Sequence, residues 1–248
     1  MNGYQEKITR IRAHLALEGA AGAVLSTPDN IFYATGFSSV MDGWHLVEPI
    51  AAVFVPTDSA SPVVLILPEA SVISPIVSER GGHPVHFDRL ATFDMLNFCE
   101  TARAEDAHLA LPDDLLAELG DVMEQVEGQC EPDIIQTIAA CVSRHISKAE
   151  RVVFDDLRVA ARVEALTGQA SGDALDVMFA ARAVKTADEL DTLRESGQIA
   201  DAIMAYTVSL LGVGKSWSEV EKQVAHFMID HDVDPLPGSP MLFGGAYD

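Results

Sequence analysis

Apolar runs too short to be helices alternate along this chain with stretches of helical periodicity, and that alternation confines it to an α/β architecture. Between Tyr4 and Leu17 the residues Ile8, Ile11 and Leu15 recur at three-to-four spacing among charges, which predicts an amphipathic helix. Gly19 and Gly22 stop it. Apolar runs follow at 23–25, 51–55 and 63–67, then a helical stretch after Pro68, then a run at 85–87 beyond Gly81 and Gly82. Pro56 and Pro62 bracket a polar turn, so the second and third runs are expected to pair as an antiparallel hairpin inside a mixed sheet. A helix over 134–147 leads to the β-branched run 152–154, a further helix through Val159 and Leu166, a turn at 168–172, and a segment at 175–183.

The last quarter reads as helix. Thr186 and Glu189 form a capping box, the threonine hydroxyl accepting from the N3 amide and the glutamate reaching back to the cap amide. Leu190, Leu193, Ala200, Ile203, Met204, Thr207 and Leu211 then hold one face of a long helix. Gly212 and Gly214 end it, Ser216 and Glu219 cap the next, which runs to about residue 229, and the tail 235–248 is loop-like.

Charge narrows the partners. Sixteen Lys and Arg against 38 Asp and Glu give a net charge of −22, which repels phosphate backbones and anionic headgroups, so neither nucleic acid nor a membrane surface is expected. Ten of the acids lie between Ala104 and Ser143, where there is no Lys or Arg. Leu115, Leu116, Leu119, Val122, Met123 and Val126 keep helical spacing there, so the stretch reads as an amphipathic helix with a solvated acidic face; a calcium or basic-partner site is the sharper alternative. No run reaches the roughly 18–20 apolar residues that cross a bilayer, and the N-terminus lacks a signal peptide's apolar block, which points to the cytoplasm. Cys99, Cys130 and Cys141 are an odd set without metal-ligand spacing, and read as reduced thiols that act as small buried hydrophobes.

Several motifs dissolve on inspection. Ser209 to Ser216 has the glycines and lysine of a phosphate loop, but it follows a helix instead of a strand and lacks the leading glycine. Asp230, Asp232 and Asp234 alternate like calcium ligands, yet Pro235 stands where the loop needs glycine and no twelfth-position Glu follows. His83 and His86 are separated by Pro84 and have no third ligand. No serine or cysteine nucleophile with a base is identifiable by spacing. What is left is Asp29, Asn30, Ile31, Phe32, Tyr33, Ala34, Thr35, Gly36 and Phe37, directly after the first apolar run. Asn30 is expected to cap a short turn and Gly36 to take a positive φ, in a tight strand-to-loop passage. It leads to Asp42, Gly43, Trp44 and His45, for which two readings fit the residues alone: a substrate contact, or a packed loop tip.

This order of signals resembles the creatinase, prolidase and aminopeptidase P family. The stretch 28–37 looks like that family's N-domain signature, and 182–202 looks like its interdomain junction with the first helix of the catalytic domain. The resemblance implies an α/β fold: a mixed-sheet, ribonuclease H-like creatinase-type domain over 1–180, with an acidic helical insertion at about 91–133, followed by the opening helices of an incomplete pita-bread α+β domain over 181–248. It implies a homodimer in which the loop after the Tyr33–Gly36 motif approaches the neighbouring subunit's active site, making Asp42, Trp44 and His45 substrate contacts in trans. It also implies a reaction. The family's hydrolases hold two divalent ions, manganese, cobalt or zinc, with two Asp, one His and two Glu, and cleave Xaa-Pro peptides; relatives such as creatinase cleave a small amide or amidine C–N bond.

Those ligands lie beyond the segment matched here, so the resemblance places no catalytic and no metal-binding residue in this chain. The expected function is the N-terminal portion of a metal-dependent hydrolase, inactive alone. The alternative is a non-catalytic binding or scaffold module that keeps the N-domain without the chemistry. The two differ in what becomes of Leu190, Leu193 and Ile203, which a fragment leaves without a partner and a complete module should replace with polar residues.

Overall fold

The computed structural model of the protein describes residues 3–39, 42, 48–95 and 112–233. The chain forms two compact units, Met1–Val184 and Lys185–Asp248. In the first, α1 (Gly3–Leu17) buries Ile8, Ile11 and Leu15, the residues whose spacing predicts it. It is followed by β1 (Gly22–Leu25), α2 (Pro28–Thr35), β2 (Ala52–Pro56), β3 (Val64–Pro68), a 3-10 turn, and α3 (Ser74–Arg80). Then come β4 (Arg89–Phe93), α4 (Asp113–Met123), α5 (Ile134–His145), β5 (Val152–Phe154), α6 (Leu157–Thr167), β6 (Ser171–Asp173) and α7 (Leu175–Ala183).

The six strands form one mixed sheet in the order β4-β3-β2-β1-β5-β6. The expected hairpin is present: β2 and β3 pair antiparallel with Ala52 opposite Ile66, and β1 joins β2 antiparallel with Ala23 opposite Val55. The outer pairs and β1–β5 are parallel. Alternate residues of each strand enter different cores. Ala23, Leu25, Val53, Val55, Leu65 and Leu67 meet α1, α2 and α7 on one face. Val24, Phe54, Val64 and Ile66 meet α5 and α6 on the other. A sheet covered on both faces has no polar side, which is why its central strands read as unbroken apolar runs. Each fully buried Val, Leu or Phe contributes about 1.5–3 kcal/mol over leaving it in water.

Two strands depart from the sequence reading. The run expected as a strand at 85–87 is a loop, in which Val85 and Phe87 pack against the core while the His86 N–H donates to Thr35 O at 2.8 Å. The strand itself starts at Arg89, because Asp88 turns the chain first, its Oδ2 accepting from the Val63 N–H at 2.8 Å. The turn expected at 168–172 contains the start of β6, an edge strand of Ser171, Gly172 and Asp173 that carries no apolar signal. Residues 91–93, inside the stretch marked as an insertion, belong to β4. The acidic helix is present as α4: Leu119 and Val122 pack on the core, and Arg80 of α3 binds Asp114 at 2.7 Å and Glu118 at 2.8 Å. The segment after α4 runs along the outer edge of β4, with Leu90 N–H donating to Gln125 O at 3.0 Å and Glu127 N–H to Leu90 O at 2.7 Å. It occupies hydrogen-bonding groups that a bare edge strand would present to other chains.

The second unit contains α8 (Ala187–Leu210) and α9 (Trp217–Ile229), each opened by a complete capping box, Thr186 with Glu189 and Ser216 with Glu219. Val220, Val224 and Met228 of α9 bury against Ile203, Tyr206 and Leu210 of α8. Ile203, expected to lack a partner, therefore has one, because a second helix suffices to cover that stripe. Leu193 and Met204 remain exposed. Among the described residues no helix is long and apolar enough to cross a membrane.

Candidate functional site

The parallel strands β1 and β5 end side by side, and each runs directly into a helix, α2 after β1 and α6 after β5. Asp155 is the first residue beyond β5, and its carboxylate lies against the N-terminus of α2. Its Oδ1 accepts from the Ser26 N–H at 2.8 Å and the Ser26 hydroxyl at 3.1 Å. Its Oδ2 accepts from the Thr27 N–H at 3.1 Å, the Thr27 hydroxyl at 2.6 Å and Asn30 Nδ2 at 3.0 Å. A helix N-terminus attracts an anion through its free N–H groups and its dipole; here the chain's own carboxylate takes that place. The neighbouring Asp156 instead caps α6, and the Arg158 side chain that hydrogen-bonds it holds its carboxyl below the usual range.

Asn30 is not the cap that the sequence predicts. Thr27 is the N-cap, and the supposed strand-to-loop passage is a two-turn helix. Asn30 lies inside that helix, where its amide donates to Asp155 and its Oδ1 accepts from Arg182 Nη1 at 3.0 Å. Tyr33, one turn on, donates its hydroxyl to Ala181 O at 2.8 Å and carries Lys7 Nζ 5.1 Å above its ring. The polar residues of the motif thus fasten α2 to α7 and to the end of β5. Gly36 closes α2 as predicted, at φ +75°. A Cβ there would stand 2.7 Å from Pro84 O, so the loop 83–87 needs glycine at this position as much as the helix end does.

The loop predicted to touch substrate starts from this anchored base. Asp42 is described: its Oδ2 accepts from the Ser39 N–H at 2.8 Å, and its own N–H donates to Ser39 O at 3.0 Å. These bonds close a turn at the start of the loop. Trp44 and His45, its other two predicted contacts, lie outside the described residues.

One trio of metal-ligating side chains does come together among the described residues. Glu127, Cys141 and His145 present ligand atoms within 4.8 Å of one another. The sequence reading missed it by judging cysteines against other cysteines; the signal was Cys141 and His145 at i and i+4 of a helix. Cys141 is fully buried where the reading expected it, whereas Cys130 is exposed, and Cys99 lies outside the described residues. One carboxylate, one thiol and one imidazole do not fit a two-ion centre, which needs carboxylates to bridge the ions.

No family model matches the sequence, and no curated protein matches it significantly. Solved structures do. Prolidase from Thermococcus sibiricus superposes with a TM-score of 0.58 at 15% identity, covering 93% of this chain and 50% of that one. Dipeptidase PepE from Mycobacterium ulcerans gives 0.56 at 18% identity over 92% of this chain and 49% of that one. Xaa-Pro dipeptidase from Bacillus anthracis gives 0.56 at 16% identity, with coverage of 92% and 49%. The chain has the fold of the N-terminal part of the creatinase/prolidase family. It spans about half the length of these solved prolidases and dipeptidases.

Proposed function

We propose that this chain is the N-terminal portion of a metal-dependent hydrolase that cleaves the C–N bond of an Xaa-Pro dipeptide or peptide, or of a small amide or amidine. The observation that supports this reading most is the superposition of 93% of the chain on 50% of a prolidase. In this reading the protein is a cytoplasmic homodimer. Asp155, Asn30, Arg182 and Tyr33 are positioning residues: they hold α2 rigid so that the loop after Gly36 starts from a fixed point. Asp42 shapes the turn at the start of that loop, and Trp44 and His45 contact substrate bound to the partner subunit, the indole by apolar or cation contact and the imidazole by a hydrogen bond.

The 248 residues alone should show no manganese-, cobalt- or zinc-dependent turnover. The decisive measurement is on an extended protein carrying the downstream sequence. It should hydrolyse an Xaa-Pro dipeptide in a metal-dependent way, and Trp44→Ala or His45→Ala should raise KM about 10-fold or more, as loss of a substrate contact does. Turnover by the 248 residues would overturn the reading. Peptide binding without hydrolysis under any metal would identify a binding module in place of an enzyme. Unchanged KM and kcat in both variants would remove the role of the loop and leave the hydrolase standing.

A further inference from the structure

Glu127, Cys141 and His145 bring a carboxylate, a thiol and an imidazole to one place. Cys141 and His145 are one turn apart on α5, so both side chains leave the same stripe of the helix. Glu127 comes from the segment along the edge of β4, held there by its N–H bond to Leu90 O at 2.7 Å. His145 Nε2 lies 2.9 and 3.1 Å from the two Glu127 oxygens. A tetrahedral zinc ion, with bonds of about 2.0–2.3 Å, keeps its ligand atoms roughly 3.3–3.8 Å apart. All three ligand atoms lie within 4.8 Å of one another, so closing on such an ion asks for a movement of at most roughly 1–1.5 Å. The imidazole and carboxylate have to part by a few tenths of an ångström, roughly.

The surroundings resemble a support for such a site. Arg144 Nη1 holds Glu127 Oε1 at 3.0 Å and leaves lone pairs of the carboxylate available. Its guanidinium lies where a Cβ on residue 128 would stand, and residue 128 is a glycine at φ +78°. The Phe54 ring of β2 stacks on the His145 ring with centroids 5.9 Å apart, which fixes the plane of the imidazole. Groups that orient a ligand from outside in this way are what set metal affinity and geometry. Glu127 and His145 side chains keep 13% and 14% of their surface in solvent, whereas Cys141 is fully buried.

We propose that Glu127, Cys141 and His145 form a mononuclear zinc site, with three protein ligands and a fourth position open to water. Sulfur, nitrogen and oxygen donors together suit a borderline ion such as zinc better than a hard ion such as magnesium or calcium. On binding, the Cys141 S–H bond breaks, its proton leaves to solvent, and the sulfur–zinc bond forms with no change of oxidation state. The ion then cross-links the edge segment of β4 to α5. The site uses residues of the first unit only and is independent of the hydrolase reading.

The test is metal binding by the 248-residue protein, stripped with chelator and titrated with cobalt(II) alone, then with zinc. One equivalent of cobalt should produce a sulfur-to-cobalt charge-transfer band that zinc abolishes. The band should survive in the Cys99→Ala, Cys130→Ala double variant and vanish in Cys141→Ala, with zinc affinity lowered by at least about 100-fold, since even outer groups are worth 10–100-fold. Zinc should also raise the Tm of the parent and not of His145→Gln, which keeps Cys141 and guards against a misfolded Cys141 variant. Absence of the band in the parent, or its persistence in Cys141→Ala, overturns the proposal and leaves a hydrogen-bonded clasp.

Discussion

Asp155 accepts five hydrogen bonds through two oxygens, and no neutral side chain of its shape can do the same. In Asp155→Asn one oxygen becomes an NH2 group that faces other donors, among them the Thr27 N–H or the Ser26 N–H. A donor left unsatisfied in a partly buried site costs about 1–3 kcal/mol, so the variant should lose about that much, read from the urea midpoint at unchanged m. A loss under about 1 kcal/mol would mean that water replaces the carboxylate at the end of α2. The sequence shows half of this hub. Asn30, Tyr33 and Gly36 stand out in one short motif, and the φ of Gly36 follows from its place after the last helical residue. Asp155 does not stand out, because the residues it joins are 125 to 129 positions away and spacing arguments reach only a few turns. The trio of Glu127, Cys141 and His145 is legible in part: the helical pair is visible, whereas the carboxylate arrives from a loop whose path no local pattern predicts.

Helix ends carry the pH dependence of the elements. Asp133 caps α5 and Asp156 caps α6 through their side-chain oxygens. Burial raises the Asp133 carboxyl, but the bonds from Gln136 outweigh it, and the net position is below the ordinary 3.8; Asp156 is lowered chiefly by Arg158. A carboxyl depressed in the folded state stabilises it fully above the unfolded value and loses that contribution as pH falls through the folded value. The parent should therefore lose stability from about pH 4 downward, and the double variant Asp133→Asn, Asp156→Asn, which keeps capping oxygens that do not titrate, should lose less there. Urea midpoints measured at about pH 5, 3 and 2 decide it; parallel curves would remove these caps from the acid response. Legibility at this scale tracks periodicity. Helices α1, α5, α8 and α9 have long stripes or capping boxes and lie where the sequence puts them. The strands β4 and β6 do not, because a five-residue edge strand that opens on Arg89 and a three-residue Ser-Gly-Asp strand are defined by partners, not by pattern.

For the molecule as a whole, the division at Val184 has a consequence that can be measured. Both cores that flank the sheet are built from residues before that point, and the α8–α9 cluster from residues after it. A fragment of residues 1–184 should unfold in one cooperative transition with the near-ultraviolet signature of a packed core; a broad, non-cooperative transition would show that residues after 184 complete it. The central strand β1 bears on a different stage of the protein's life. Ala23 pairs with Val153, roughly 130 positions later. Its other edge is covered early, by β2. At about 5–20 residues per second, roughly 6 to 25 seconds of synthesis separate the emergence of β1 from that of β5. Through that interval a wholly apolar strand has one open edge beside the ribosome, and the native sheet can close only after synthesis has passed Phe154.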